Sequence, residues 1–253
     1  MCIRDSDGNN KIELKTSLKD SLASAANYIL CSIPPGANGD PSLLVYRSEI
    51  ASARNLCWIG YLSTTGVYGN RNGAEVDEYS AVQPTRERGR RRVAAEASWL
   101  EFGKVTGHNA HVFRLAGIYG PNRNVIIRVR AGSANRIHKK RHVFSRIHVD
   151  DVVNVNLWFL AHNTREEKSG IFNVGTGHAA TFNELADAVI EWHGTGTKRY
   201  IPFPEHIENA YQSFTQADIT RLRQAGYSAP MTTLEAGLEA YYHYHSSAVQ
   251  VPA

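Results

Sequence analysis

Apolar residues fall in short blocks along this chain, and the blocks alternate between strand-like and helix-like spacing. Tyr28 to Ile33 is a short apolar run closed by Pro34-Pro35-Gly36, a pattern that predicts a buried strand and its turn. Pro41 to Arg54 has helical spacing, and Cys57 to Ser63 predicts a second buried strand. Thr85 to Val105 opens polar and turns apolar at Val93, Ala94, Ala97, Leu100 and Phe102, which predicts a long helix. His111 to Leu115 reads as a third strand, stopped by Gly117 and Gly120-Pro121. Val149 to His162 predicts a helix with Asp150 and Asp151 in its first turn, where the helix dipole favours negative charge. A fourth strand is expected over Ile171–Val174, before Gly175-Thr-Gly177. Three further helices are expected at Phe182–His193, Ala217–Ala225 and Thr233–Tyr242, the second of them ended by Gly226. Short apolar strands alternating with helices predict an α/β fold with a mostly parallel sheet covered on both faces.

Composition adds constraints rather than a function. The chain has 253 residues, 42% of them hydrophobic and 21% charged, which suits one globular domain with at most a small lobe. A net charge of +4 is mild and fits a small anionic ligand such as a nucleotide at least as well as nucleic acid. Cys2, Cys31 and Cys57 lack metal-type spacing, so free thiols in a reducing, cytoplasmic setting are expected, with no metal site. No apolar run reaches membrane-spanning length, and no secretory signal is visible, so no membrane partner is expected. Met1 to Ser6 fits no element and reads as a leader foreign to the fold.

Two basic runs stand out. Arg86, Arg88, Arg90, Arg91 and Arg92 crowd the start of the long helix, where like positive charges are unfavourable. Either they form a solvated face, or some of them hold phosphates. No aromatic residue interleaves with them as a stacking platform, which argues against nucleic acid. Arg136-Ile-His-Lys-Lys-Arg-His142 reads first as an exposed hairpin or loop, and second as a basic patch for an anionic ligand.

The chemistry-bearing motifs lie in the middle of the chain. The second strand runs on into Ser63-Thr64-Thr65-Gly66-Val67-Tyr68-Gly69, and Glu87-Arg-Gly-Arg-Arg-Arg-Val-Ala-Ala-Glu96 follows. Arg114-x-x-x-Ile118-Tyr119-Gly120-Pro121 and Ile147-His148-Val149-Asp150-Asp151 come next, in order. Together these resemble the extended short-chain dehydrogenase/reductases, the NAD-dependent epimerase/dehydratase family of nucleotide-sugar enzymes. The resemblance implies a doubly wound, Rossmann-like parallel sheet with a small C-terminal substrate lobe. The core would comprise residues 20–120 and 148–176, and the lobe 121–147 and 177–245. It also implies NAD or NADP as cofactor, a nucleotide sugar or other small anionic ligand as partner, and compatibility with a homo-oligomer.

The resemblance assigns roles residue by residue. Thr64 would hold the substrate hydroxyl. Ser63, Thr65, Arg92 and Leu115 would line the cofactor. Tyr119, Tyr211, Gln216 and Asp218 would shape the nucleotide-sugar pocket. In that family a helix tyrosine moves the proton and a lysine four residues later lowers its pKa and binds the ribose. Here Arg88 stands at the tyrosine position and Arg92 at the lysine position. Arginine stays protonated in proteins, so Arg88 offers no general acid or base near neutral pH. A Gly-x-x-Gly-x-x-Gly pyrophosphate loop is also expected before Tyr28, and the only glycine there is Gly8. The chain is therefore expected to begin near the family's fourth strand, as an N-terminally truncated product with weak cofactor binding.

The C-terminal part carries a second likeness. Gly170-Ile-Phe-Asn-Val-Gly-Thr-Gly177, Tyr200-Ile-Pro-Phe-Pro204, Tyr211-Gln-Ser-Phe-Thr-Gln-Ala-Asp218 and Leu222-Arg-Gln-Ala-Gly-Tyr227 resemble the ADP-glycero-manno-heptose 6-epimerases. Tyr28 to His148 instead resembles an atypical branch without the tyrosine, so a hybrid joined near His148 to Val153 is expected. Three functional readings follow: an epimerase or dehydratase impaired in turnover, a non-catalytic binder of a dinucleotide or nucleotide sugar, and an inactive hybrid fragment.

Overall fold

A computed structural model describes residues 26–71, 74–121, 135–137, 143–162, 169–177, 179–181, 199–201 and 214–247. Along the chain these form β1 (Tyr28–Cys31), α1 (Pro41–Ala51), β2 (Trp58–Thr64), a single 3₁₀ turn (Thr65–Tyr68) and β3 (Glu75–Val76). Then come α2 (Glu87–Thr106), β4 (Asn109–Leu115), β5 (Gly117–Tyr119), β6 (Asn135–Ile137), β7 (Val143–His148) and α3 (Val149–His162). The remainder is β8 (Gly170–Val174), β9 (Ala179–Thr181), β10 (Arg199–Ile201), β11 (Phe214–Ala217), α4 (Thr220–Gln224) and α5 (Leu234–Ser247). The expected leader at Met1–Ser6, Cys2, the expected helix at Phe182–His193, Tyr211 and 138–142 of the second basic run lie outside the described residues.

The chain divides into two compact units. The first takes in the chain through Val67, Arg86–Arg114 and Asn156–Phe172. A four-stranded sheet runs in the order β1-β2-β4-β8, with β1 and β2 parallel from Tyr28↔Trp58 to Cys31↔Tyr61. Strand alternation sorts its side chains onto two faces. Ile59 and Tyr61 of β2 and Ala110 and Val112 of β4 join Leu43, Ile50, Trp99 and Phe102 of α1 and α2 in one buried cluster. The intervening residues His111 and Phe113 meet Phe159 of α3 and Phe172 of β8 instead, and Trp58 packs against His111 and Phe113. Within that second cluster Trp58 Nε1 donates to His111 Nδ1 at 2.9 Å, so a fully buried indole keeps a partner. Each of these large side chains contributes about 1.5–3 kcal/mol by leaving water. Covering on both faces is what the continuous apolar runs of β1 and β2 require.

The second unit takes in Tyr68–Thr85, Leu115–Val155 and the chain from Asn173 onward. Its larger sheet has the order β3-β11-β7-β5, parallel at each of these pairs, and β9 joins β7 antiparallel. A separate parallel pair joins β10 to β6.

Two sequence expectations change here. Gly117 does not end the strand region: the chain breaks at Ala116, whose N–H goes to Val174 O at 2.9 Å, and Gly117 then opens β5 beside β7. Ala217 does not begin a helix but ends β11, paired with Val76 and fully buried. Ladder pairing at a buried site outweighs alanine's helix propensity, a difference of under about 1 kcal/mol. The helix starts at Thr220, whose N–H and hydroxyl both donate to the Asp218 carboxylate, at 2.8 and 2.6 Å.

Candidate active site

In the first unit the motif residues cluster where β2 ends. Ser63 is buried and its hydroxyl donates to the Glu96 carboxylate of α2. Glu96 also receives Arg114 from β4, whose Nη2 lies 2.8 Å and whose Nε lies 3.2 Å from Oε2. Both side chains are nearly closed to solvent, at 5% for Arg114 and 3% for Glu96. A buried charge is tolerable only when paired and hydrogen-bonded, and here each satisfies the other while Ser63 takes a further lone pair. Sequence reasoning passed over Glu96 and gave Arg114 no role. A signal was present, because Glu96 lies four residues after Arg92 and so shares its helix face.

Arg92 is buried as well. Its guanidinium donates to the Leu62 carbonyl of β2 and lies over the Tyr61 ring, 5.9 Å from the centroid. Burial pushes the Tyr61 phenol well above its ordinary pKa, opposed by the positive charge of Arg92. The guanidinium thus fastens α2 to β2. Arg88, one turn earlier, is exposed. Glu87 accepts from Arg90 at 2.9 Å and Arg91 at 3.2 Å, and the Arg90 bond, followed by the Arg91 bond, lowers its pKa. Arg86 occupies the N-cap of α2 without a side-chain capping bond. Thr64 is half-buried and its Oγ1 accepts from Gly66 N–H at 3.1 Å, while Thr65 is buried in the 3₁₀ turn. Ser63, Thr64, Thr65, Arg92 and Glu96 are thereby gathered at the β2–α2 contact.

The turn between β1 and α1 is closed on itself. Gly36 N–H donates to Gly39 O at 2.9 Å, and the Asp40 carboxylate accepts from Ser42 N–H at 2.9 Å and Leu43 N–H at 3.2 Å. A carboxylate of the chain itself therefore holds the first free amides of α1, the groups that would otherwise suit a phosphate.

The remaining motif residues belong to the second unit. Tyr68 is fully buried and donates to Asn173 Oδ1 at 2.7 Å. Asn173 in turn sends its N–H to Glu78 at 2.6 Å and its Nδ2 to Val76 O at 3.2 Å. Burial raises the Glu78 pKa. Gly69 has φ +72°, and a Cβ there would lie 1.9 Å from Gln83 O, so only glycine fits. Leu115 is buried at the end of β4. Tyr119 donates to Thr233 O at 3.3 Å, stands nearly perpendicular to the His148 ring with the centroids 5.1 Å apart, and has its pKa pushed up by burial. His148 Nδ1 accepts from Asp150 N–H at 3.2 Å at the start of α3, and its Nε2 bonds Tyr241. Gln216 on β11 donates to Glu75 at 3.3 Å and to Gly177 O at 3.4 Å, and Asp218 accepts from Thr220 N–H just before α4. Tyr79 is 83% exposed under Arg221.

Among the described residues no group of three or more His, Cys, Asp or Glu could hold a metal ion. No described helix is long and apolar enough to cross a membrane. Cys31 and Cys57 are both in the thiol form.

The ends of parallel strands packed beneath helices, with a hydroxyl-rich turn after β2, define an α/β fold of the Rossmann-like kind. The model of the NAD dependent epimerase/dehydratase family matches residues 49–175, and the chain belongs to that family. A functionally unknown conserved protein from Silicibacter pomeroyi is 32% identical, with a TM-score of 0.77 over 87% of this chain and 78% of that one. UDP-glucose 4-epimerase from Thermotoga maritima, solved with UDP-glucose, shares the fold at 22% identity and a TM-score of 0.72, covering 88% of this chain and 78% of that one. MoeE5, solved with UDP-glucose and NAD, does so at 21% identity and a TM-score of 0.72, covering 92% and 83%.

Proposed function

We propose that this epimerase/dehydratase homologue receives a nucleotide sugar or other small anionic ligand and is impaired in turnover. The carrying observation is Arg88, a permanently charged and exposed residue where the resembled pattern has its proton-transfer tyrosine. Other groups that could move a proton are committed elsewhere. Tyr68 is buried against Asn173, Tyr119 donates to Thr233 and has a raised pKa, and Glu87 is held by Arg90 and Arg91. Tyr79 lies under Arg221. Arg92 would reach a ribose or phosphate only by giving up Leu62 O and the Tyr61 ring. Thr64 remains the residue suited to a sugar hydroxyl, since its Oγ1 has one short-range bond to Gly66 and is half open to solvent.

NAD or NADP is the cofactor by family. Among the described residues the strand–turn–helix from β1 to α1 does not fit a pyrophosphate, because Asp40 already fills the helix N-terminus with negative charge. The N-terminus of α1 is therefore expected to bind NAD(P) weakly. The reading is tested by calorimetric titration with UDP-glucose, NAD and NADP, together with an epimerisation assay on UDP- and ADP-sugars. Heat from the nucleotide sugar without turnover is expected. Turnover by the unmodified chain that disappears in Thr64→Ala would overturn the impairment, and sub-micromolar NAD or NADP affinity would overturn the argument from Asp40.

A further inference from the structure

We propose that Ser63 and Glu96 form a buried anchor that aims the Thr64 hydroxyl, and that both are positioning residues for the sugar hydroxyl of a bound nucleotide sugar. This deepens the reading of Thr64 given above and rests on it. β2 runs past its neighbour: the register with β1 ends at Cys31↔Tyr61, and Leu62, Ser63 and Thr64 follow. Successive side chains of a strand turn to opposite faces. Tyr61 stacks on Trp99 of α2, and Ser63 lies on the same side, where its hydroxyl donates to Glu96 of that helix. Thr64 is thereby turned to the face away from α2.

The residues just before Thr64 are both fastened to α2. Arg92 donates to the Leu62 carbonyl, and Glu96 accepts from Ser63. Glu96 is held in turn, because Arg114 of β4 brings Nη2 to 2.8 Å and Nε to 3.2 Å from its Oε2. A carboxylate only accepts, so the Ser63 proton is committed inward. Ser63, Glu96 and Arg114 are all buried, so bulk water does not replace these bonds. β2, α2 and β4 thus meet at the residue beside Thr64.

Thr64 itself is differently placed. It is half-buried, and its Oγ1 accepts from Gly66 N–H at 3.1 Å. Among the described residues no acceptor takes its hydroxyl proton, which leaves that proton for a ligand oxygen. A hydrogen bond weakens steeply as its angle closes, so a small roll of β2 at Ser63 would turn the Thr64 proton off its acceptor. Ser63 acts on the ligand through Thr64 and not by touching it.

The test is a double-mutant cycle read by calorimetric titration with UDP-glucose and with UDP, which lacks the sugar. Ser63→Ala removes the hydroxyl and leaves the Glu96–Arg114 pair in place. Its affinity for UDP-glucose should fall about tenfold, the size of one good hydrogen bond, with UDP affinity unchanged. In a Thr64→Ala background the same change should have no further effect. Glu96→Gln weakens the acceptor and should show the same loss, confined to UDP-glucose. Equal losses for both ligands, or a full effect of Ser63→Ala without Thr64, overturn the positioning role. Hydrogen exchange without ligand gives a second reading. The Gly66 amide, bonded to Thr64 Oγ1, should exchange about tenfold faster in Ser63→Ala, while the α1 amides match the parent. Unchanged Gly66 exchange also overturns the proposal. If the parent prefers UDP-glucose no more than UDP, the reading of Thr64 falls and the ligand half of the proposal with it, whereas the Gly66 amide still decides the anchor.

Discussion

Glu96 receives Arg114 and Ser63 away from water, so removing its carboxylate breaks a buried ion pair. Glu96→Ala should cost about 3–5 kcal/mol in urea unfolding, the range for breaking a buried pair by removing one partner. Replacing both partners, as Glu96→Leu with Arg114→Met, should recover most of that loss. If single and double changes cost the same, the pair does not account for the burial. His108 makes a second residue-level case. Its Nε2 is buried without a partner, and burial lowers its pKa below the ordinary 6.5. The unfolded chain then binds the proton more readily than the folded one. Stability from this residue is therefore complete above about pH 6.5 and falls as pH drops toward the lower folded pKa. Melting temperatures across that window should fall less steeply in His108→Gln than in the parent, and identical slopes would remove His108 from the account. Arg88→Tyr with Arg92→Lys restores the family's residue types, yet it removes the guanidinium bond to Leu62 and leaves Asp40 on the α1 amides. No epimerisation is expected from that double variant, and measurable turnover would show that residue identity alone was limiting.

At the scale of elements, legibility followed periodicity. β1, β2, α1 and α2 were readable because their apolar residues are consecutive or helically spaced, as burial on both sheet faces demands. β5, β7 and β11 were not, since Gly117, Arg146, His148 and Gln216 break the apolar signal with residues that main-chain pairing accommodates. Ala217 misled for the same reason: its neighbours 220–224 are helical, and only pairing with Val76 shows that it belongs to a strand. The hydroxyl-rich turn was legible as a motif, but the Ser63–Glu96–Arg114 contact joins positions far apart in sequence, and its local sign is no more than the helix face that Glu96 shares with Arg92. The turn after β2 also carries a prediction. Gly69→Ala requires a left-handed conformation and a clash with Gln83 O, so it should destabilise the chain by at least about 2 kcal/mol. A melt within experimental error of the parent would mean that the Gln83 segment yields freely.

For the whole molecule, charge is the property that reaches beyond its own fold. The net charge is +4, and exposed arginines at the start of α2 contribute to it. Any anionic ligand held there is screened by salt, so its affinity should fall as ionic strength rises from low to physiological values. Titration at two salt concentrations reads this directly, and a salt-independent affinity would locate the ligand away from the arginine run.

Arg92 and Glu96 stand one turn apart on α2, and each is fastened to β2, one to Leu62 O and the other to Ser63. Two such fastenings act as a keyway: a slip of one residue along the helix, a turn of about 100°, would pull both out together. Arg88 is the next step up the same side of the helix. Its bearing is therefore inherited from the two residues below it and is indifferent to what the side chain is. Selection or design can exchange the chemistry at position 88 freely, as one changes the bit in a chuck, without asking the scaffold to aim it again.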